Sequence, residues 1–237
     1  METYSLVTGS SDRIGKSVAL ELAGRGHNIL LHYNSNYEKA AKVKTEAESL
    51  GVKTETVQIN YLENNDFDEI FQGFINRGIV IDILVNCASD FRPSAYEDKG
   101  SELLNKELKI NFENAYLLTK AFARIFEKGH IINFLDTKVE KNYTKHLDYL
   151  LSKKLLKAFT ELSAVHLGPN FRVNAIAPGL VLPPKGKDED YLLNLAKDIP
   201  LKTIGNLEEI LKAFRFLLDS NFVTGQILYI DGGDHLI

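Results

Sequence analysis

The stretch Tyr4-Ser5-Leu6-Val7-Thr8-Gly9-Ser10-Ser11-Asp12-Arg13-Ile14-Gly15 decides the fold. Tyr4 to Thr8 reads as a short strand, and Val18, Ala19, Leu20, Leu22 and Ala23 then recur at helical spacing up to Gly24 and Gly26. Strand, glycine-bearing loop and helix in this order bring helix-start amides against a pyrophosphate. Gly9 permits the tight turn, and Gly15 lets helix and strand pack closely. The spacing departs from G-x-G-x-x-G, because only Gly9 and Gly15 are present, with Arg13 between them. A purely structural turn would use the same glycines, but the guanidinium of Arg13 suits an anionic or hydrogen-bonding ligand lying over the loop.

Working outward, His27 to Tyr33 reads as a second strand followed by Asn34, Ser35 and Asn36. Enzymes that prefer NAD place an acidic residue here for the ribose hydroxyls. Its absence leaves room for a 2′-phosphate and favours NADPH, with Lys16, Arg13 or the tip of the next helix to supply positive charge. Asn34 to Asn36 would equally serve to start the helix carrying Ala40, Val43, Ala47 and Leu50. Val52 to Ile59 alternates as a strand, with Asn60 and Tyr61 after it where an adenine edge would lie. A helix through Phe67, Ile70, Phe71, Phe74 and Ile75 leads to a fourth strand, Ile81 to Val85, which runs into Asn86-Cys87-Ala88-Ser89-Asp90-Phe91. Asn86 is expected to bond to neighbouring backbone and fix a crevice, and Cys87 to be a small buried side chain. Ser101 to Phe126 reads as one long helix interrupted near its middle by Asn111, whose polar side chain needs a partner such as a carbonyl or a water chain towards Lys153.

Asp136 follows the apolar run His130 to Leu135, so its carboxylate stands at the carboxyl end of a buried strand, where open α/β sheets bind ligands. Tyr149 and Lys153 lie four apart at the start of a helix-periodic run and project from one face. A free tyrosine titrates near ~10, and bringing it to about 7 takes roughly 4 kcal/mol. An ammonium about 4 Å away supplies roughly that much at an effective dielectric of ~20. On this reading Tyr149 donates a proton at neutral pH, although Tyr and Lys at this spacing also occur by accident.

Phe171 to Ala177 supplies a sixth strand ending at Pro178-Gly179, and Leu180 to Asp190 reads as a long loop, with the substrate loop placed near 180–200. A last helix through Leu207, Ile210, Leu211, Phe214 and Leu217 precedes Val223 to Gly233. Strands alternating with helices throughout predict one α/β domain over 1–237, a doubly wound (Rossmann) parallel sheet of about seven strands with helices on both faces. The 44% hydrophobic and 25% charged composition is that of a soluble globular chain. A net charge of -4 without a basic block gives no reason to expect nucleic-acid binding, and no apolar stretch is long enough for a membrane helix. The lone Cys87 and the absence of a leader point to a reducing, cytoplasmic setting, and the six histidines have no metal-ligand spacing.

Together these residues resemble the short-chain dehydrogenase/reductase family over nearly the whole chain. Thr8-Gly9 through Gly15, Asn86-Cys87-Ala88, Asn111, Tyr149-x-x-x-Lys153, Pro178-Gly179 and Asp231-Gly232-Gly233 fall in its order and approximate spacing. The resemblance implies that Tyr149 is the proton donor, that Lys153 lowers its pKa and holds the nicotinamide ribose, and that Asn111 supports a water-borne relay. It also implies that NADPH meets Gly9, Arg13, Ile14 and Gly15, then Asn34 to Asn36, Asn60, Tyr61, Asn86 and Ala88, and finally Pro178 and Gly179. Arg13 and Asp136 stand where most members carry glycine and serine, and both resemble the pteridine and bacterial dihydromonapterin/dihydrofolate reductases of the family. Phe91 matches the aromatic residue that sandwiches a pterin in those enzymes, although it could equally be a loop anchor. Arg13, Ser89, Phe91, Asp136 and Tyr149 are therefore the expected substrate contacts. The expectation is an NADPH-dependent reductase acting on a C=N bond of a dihydropterin or dihydrofolate, and the family implies a homotetramer. Two alternatives are a carbonyl reductase of 3-oxoacyl thioesters or small ketones and a non-catalytic NADPH-binding sensor.

Overall fold

Each central strand is apolar on both sides, so it must be covered on both faces. In the computed structural model, which describes residues 1–143, 145–184 and 186–237, seven strands form one parallel sheet. They are β1 (Glu2–Val7), β2 (Asn28–Tyr33), β3 (Thr54–Gln58), β4 (Ile79–Asn86), β5 (Gly129–Phe134), β6 (Phe171–Pro178) and β7 (Ile227–Ile230), in the order β3-β2-β1-β4-β5-β6-β7. Ile29 and Leu31 of β2 pack on one face and Leu30 between them on the other; Ile132 and Ile131 of β5 divide in the same way.

The first face is covered by α3 (Phe67–Asn76), α5 (Asn114–Ile125) and α6 (Leu147–Leu167), with Phe71 meeting Phe122 and Phe126 edge-on. The second is covered by α1 (Arg13–Gly24), α2 (Tyr37–Glu48) and α8 (Leu207–Asp219), through Val18, Leu22, Val43, Ile210 and Phe214. The chain builds outward from β1 to β3 and then crosses back to lay β4 against β1. That reversal opens a crevice beyond the carboxyl ends of β1 and β4, the usual ligand position in such sheets.

Two expectations change. The helix expected over Ser101 to Phe126 is α4 (Glu102–Leu108) and α5 joined by a π-helical turn over Lys109–Glu113, with Asn111 at its middle. An extra residue in that turn accompanies Asn111's side-chain bonds to the chain after β4, and π-turns recur at functional sites. Glu189 and Asp190, read as loop, instead open α7 (Glu189–Ala196), capped by Asp188 and anchored by buried Leu192 and Ala196. Charges at 187–190 look like loop but supply the cap and the acidic first turn of a short helix. Among the described residues no helix is long and apolar enough to cross a membrane.

Candidate active site

The turn after β1 is fixed by steric exclusion. Gly9 has φ +64°, and a Cβ there would stand 2.7 Å from Ala88 Cα; a Cβ on Gly15 would lie 2.3 Å from the Gly9 carbonyl oxygen. Glycine is required at both positions so that turn, helix and β4 can meet. Thr8 Oγ1 accepts from the amides of Cys87 (2.9 Å) and Ala88 (3.0 Å), tying the ends of β1 and β4 together. The Gly9 amide donates to His32 Nδ1 at 3.0 Å, so the ring proton resides on Nε2, which donates to the Ile59 carbonyl at 3.0 Å. Burial pushes His32 down to about 4 and keeps it neutral.

Arg13 opens α1 in the left-handed region (φ 53°), and its Nη2 donates to the Leu182 carbonyl at 3.4 Å, so it bridges the turn and the chain beyond β6. Ile14, half-buried beside it, packs on the second face of the sheet. Asp12 caps α1 and forms an ion pair with Lys39 at the start of α2. Asn34, Ser35 and Asn36 are exposed, and Asn36 caps α2 by accepting from the Lys39 amide at 2.9 Å. Asn60 holds the Leu62 amide and Glu63, whereas Tyr61 turns inward and stacks on His32 at 4.6 Å. Gly179 follows Pro178 and its amide donates to the Ile230 carbonyl at 3.0 Å.

Across the crevice, β5 and α6 bring the reactive groups together. Tyr149 Oη donates to Asp136 Oδ2 at 3.1 Å, while Asp136 Oδ1 accepts from the Lys138 amide at 2.9 Å. Lys153, only 2% exposed, donates to the Phe134 carbonyl at 2.8 Å and lies 5.9 Å from the centre of the Tyr149 ring. Burial draws Lys153 down to about 8. Phe91 meets the Tyr149 ring edge-on at 4.8 Å and stacks on His146 at 4.0 Å, forming an aromatic wall beside the phenol. Ser89 is exposed on the same segment, and its hydroxyl donates to the Asp90 carbonyl at 3.3 Å.

Two site expectations, for Tyr149 and Asn86, need correction. Tyr149 is not brought towards neutrality: burial, then the charge and hydrogen bond of Asp136, push it well above the usual phenol range. The spacing of Tyr149 and Lys153 disclosed the cation but not that a carboxylate would accept the phenol's hydrogen bond. Asn111 has the carbonyl partner expected of it: its Nδ2 has the Asp90 carbonyl (3.1 Å), Glu107 Oε2 (2.6 Å) and Ser152 Oγ (3.1 Å) within reach, and its Oδ1 accepts from the Asp90 amide at 2.9 Å. Asn86 bonds to side chains instead of backbone, donating to Asn133 Oδ1 at 2.8 Å and Thr119 Oγ1 at 3.4 Å. Sequence reasoning also missed His32, Glu107, His146 and Ser152; only Glu107, four residues before Asn111 on a helix, carried a spacing signal.

The residues present fit a nicotinamide dinucleotide: a cradle that admits no Cβ lies at the sheet's switch point, and a helix start with a cation nearby faces it. Such a crevice, with a buried lysine and tyrosine at its reactive end, serves NAD(P)-dependent oxidoreduction. A family model described as Enoyl-(Acyl carrier protein) reductase matches residues 9–235. The chain belongs to the short-chain dehydrogenase/reductase family and is an oxidoreductase of that family, so the non-catalytic reading is set aside. It is 29% identical to a 3-oxoacyl-[acyl-carrier-protein] reductase of Aquifex aeolicus, covering 97% of this chain and 96% of that one. A dihydromonapterin reductase of Citrobacter koseri is also 29% identical, over 98% of this chain and 96% of its own. FolM alternative dihydrofolate reductase 1 from Brucella suis, solved in complex with NADP, superposes with a TM-score of 0.91 at 27% identity, covering 99% of this chain and 96% of that one.

Proposed function

We propose that this chain is an NADPH-dependent reductase that delivers hydride to a C=N bond of a dihydropterin or dihydrofolate. The observation that carries this reading is the contact between Tyr149 Oη and Asp136 Oδ2. Reduction of a carbonyl builds negative charge on oxygen, and a carboxylate about 4 Å from that oxygen opposes it by roughly 4 kcal/mol at an effective dielectric of ~20. Reduction of C=N is assisted by a proton on nitrogen, and the same carboxylate favours that positive charge. The phenol also stays protonated until the reaction draws on it, so a proton is present at the site across neutral pH.

The bound nicotinamide supplies the hydride. Gly9, Arg13, Ile14 and Gly15 would hold its pyrophosphate side, with Asn86, Ala88, Pro178 and Gly179 around the nicotinamide end. Asn34, Ser35, Asn60 and the backbone of Tyr61 would border the adenosine, and the lack of an acid after β2 together with Lys39 supports NADPH over NADH. Tyr149, or a water it holds with Asp136, protonates the ring nitrogen, and the Lys153 ammonium offsets the charge left behind. Phe91 offers a flat heterocycle a stacking surface, with Ser89 and Arg13 at its polar edges. Both the dihydromonapterin reductase and the FolM protein agree with this substrate class by name.

The 3-oxoacyl relative supports the rival reading, a carbonyl reductase. NADPH oxidation with dihydrobiopterin or dihydrofolate, set against acetoacetyl thioester and a small ketone, separates them. We expect turnover of a dihydropterin or dihydrofolate, reduced about 10- to 100-fold in Asp136→Ser; turnover confined to the thioester or ketone would overturn the proposal. The exposed apolar side chains Leu155, Leu162 and Val165 on α6 support a homo-oligomer, a tetramer by the family expectation, and sedimentation velocity measures it.

A further inference from the structure

Glu107 belongs to none of the roles assigned above, yet it is completely enclosed, at 0% exposure. Its Oε2 accepts from Asn111 Nδ2 at 2.6 Å, and its Oε1 has no hydrogen-bond partner among the described residues. A buried carboxylate with one oxygen unsatisfied is an expensive arrangement, and in a core helix a leucine would fill the place without that penalty. What surrounds it is the proton-handling end of the crevice. Asp90 faces it from the segment after β4, itself paired with Arg92 at 2.8 Å and Lys106 at 3.4 Å; Lys153 and Tyr149 face it from α6.

Asn111 provides the mechanical link. It grips Asp90 through both backbone groups, which places the adjoining Phe91 against Tyr149. It also reaches Ser152 Oγ, whose hydroxyl donates to the Tyr149 carbonyl at 2.6 Å. We propose that Glu107 is a positioning residue which, by carrying or losing a proton beneath Asn111, sets the charge felt by Tyr149 and Lys153 and thereby the pH range of turnover. Burial, and then the neighbouring Asp90, push Glu107 up to about 7, so the change falls within the working range. Once ionised, Glu107 opposes loss of the Tyr149 proton and favours the Lys153 ammonium; once protonated, it relieves both effects. Because Tyr149 has to release that proton in the reaction, activity declines as Glu107 ionises, and the firmer hold on the Lys153 ammonium offsets only part of the loss.

The inference rests on Tyr149 and Lys153 handling the proton, whichever substrate is reduced. The full chain, loaded with NADPH and carrying carbon-13 at its glutamate carboxyls, is titrated by NMR across neutral pH. One resonance with a midpoint near 7, absent from Glu107→Gln, is expected; if every glutamate carbon titrates in the ordinary acidic range, the proposal is overturned. The wild-type titration decides this even where the Gln variant misfolds. The kcat profile against pH is then measured on whichever of dihydrobiopterin, acetoacetyl thioester or acetoin the enzyme reduces. The decline near 7 is expected to vanish in Glu107→Gln with NADPH affinity kept, leaving only the higher limb from Lys153; superimposable profiles would refute the role. Failure of the pterin reading is visible separately, as the wrong substrate being reduced, because the carboxyl titration needs no substrate.

Discussion

The turn after β1 and the cluster under Asn111 border the same crevice but are built from different material. The turn consists of backbone: two glycines that tolerate no Cβ, amides at a helix start, and a neutral histidine holding one of them. The cluster consists of side chains, with Glu107, Lys153 and Tyr149 withdrawn from water and shifted from their ordinary protonation. The first region is specified by shape and the second by charge. Substitution and pH should therefore act on them separately.

The largest separation is expected from Tyr149→Phe. Removing the phenolic oxygen takes away the proposed proton donor and the Asp136 contact but leaves the glycine turn intact. We expect kcat to fall about 10²- to 10⁴-fold while NADPH affinity, measured by calorimetric titration, changes little. Turnover that survived would reduce the cluster to scaffolding.

Stability against pH distinguishes the regions next. Glu107 binds its proton more tightly in the folded chain than in the unfolded one, so its contribution is fully present below the usual carboxylate value of 4.5 and drains away as pH rises to about 7. The expected loss is about 3 kcal/mol, and it should be missing from Glu107→Gln. His32 works in the opposite direction: its folded value lies below 6.5, so stability is kept above 6.5 and lost as pH falls towards 4, with the Gly9 amide losing its acceptor. Denaturant unfolding of both proteins at several pH values checks this; a wild type no more pH-sensitive between 4.5 and about 7 than Glu107→Gln would break the contrast.

These differences also mark how much was legible in the sequence. The alternation of strands and helices, the switch-point turn and the place of Asp136 at the end of β5 could all be read, because apolar period, glycine and position at a strand end are local signals. The protonation of the site could not. Tyr149 and Lys153 announce themselves by spacing, whereas the proton sharing with Asp136 depends on how β5 and α6 meet. Glu107 reads as one more charge on a helix surface until folding turns it inwards. Asn86 was expected to bond to backbone because nothing local indicates that Asn133 and Thr119 sit beside it.

A smaller effect, confined to the shaped region, is expected from Gly15→Ala. Its added methyl meets the Gly9 carbonyl oxygen at 2.3 Å, which forces helix and turn apart. Overpacking of this kind costs about 1–3 kcal/mol, or roughly 2–4 °C of melting temperature per kcal/mol. NADPH affinity should fall with it, while the pH dependence of whatever turnover remains is preserved. A changed pH profile would mean that the two regions are coupled more tightly than their separate contacts imply.

The smallest expected effect lies where charge enters the shaped region. Lys39 pairs with the Asp12 cap between the starts of α1 and α2, and both side chains are about half exposed. An exposed pair of this kind adds only ~0–1 kcal/mol to folding, so its placement is better understood as holding a cation ready. A 2′-phosphate carries more charge than the Asp12 carboxylate and should capture the ammonium when NADPH binds. Lys39→Ala should therefore weaken NADPH by about tenfold, or roughly 1.4 kcal/mol, and leave NADH almost unchanged, with little loss of melting temperature. Added salt should narrow the difference between the two proteins, since the contact is exposed and screened. If the ratio of NADPH to NADH affinity did not move, the preference would have to come from Arg13 or Lys16, and the charge on the turn would be incidental to its shape.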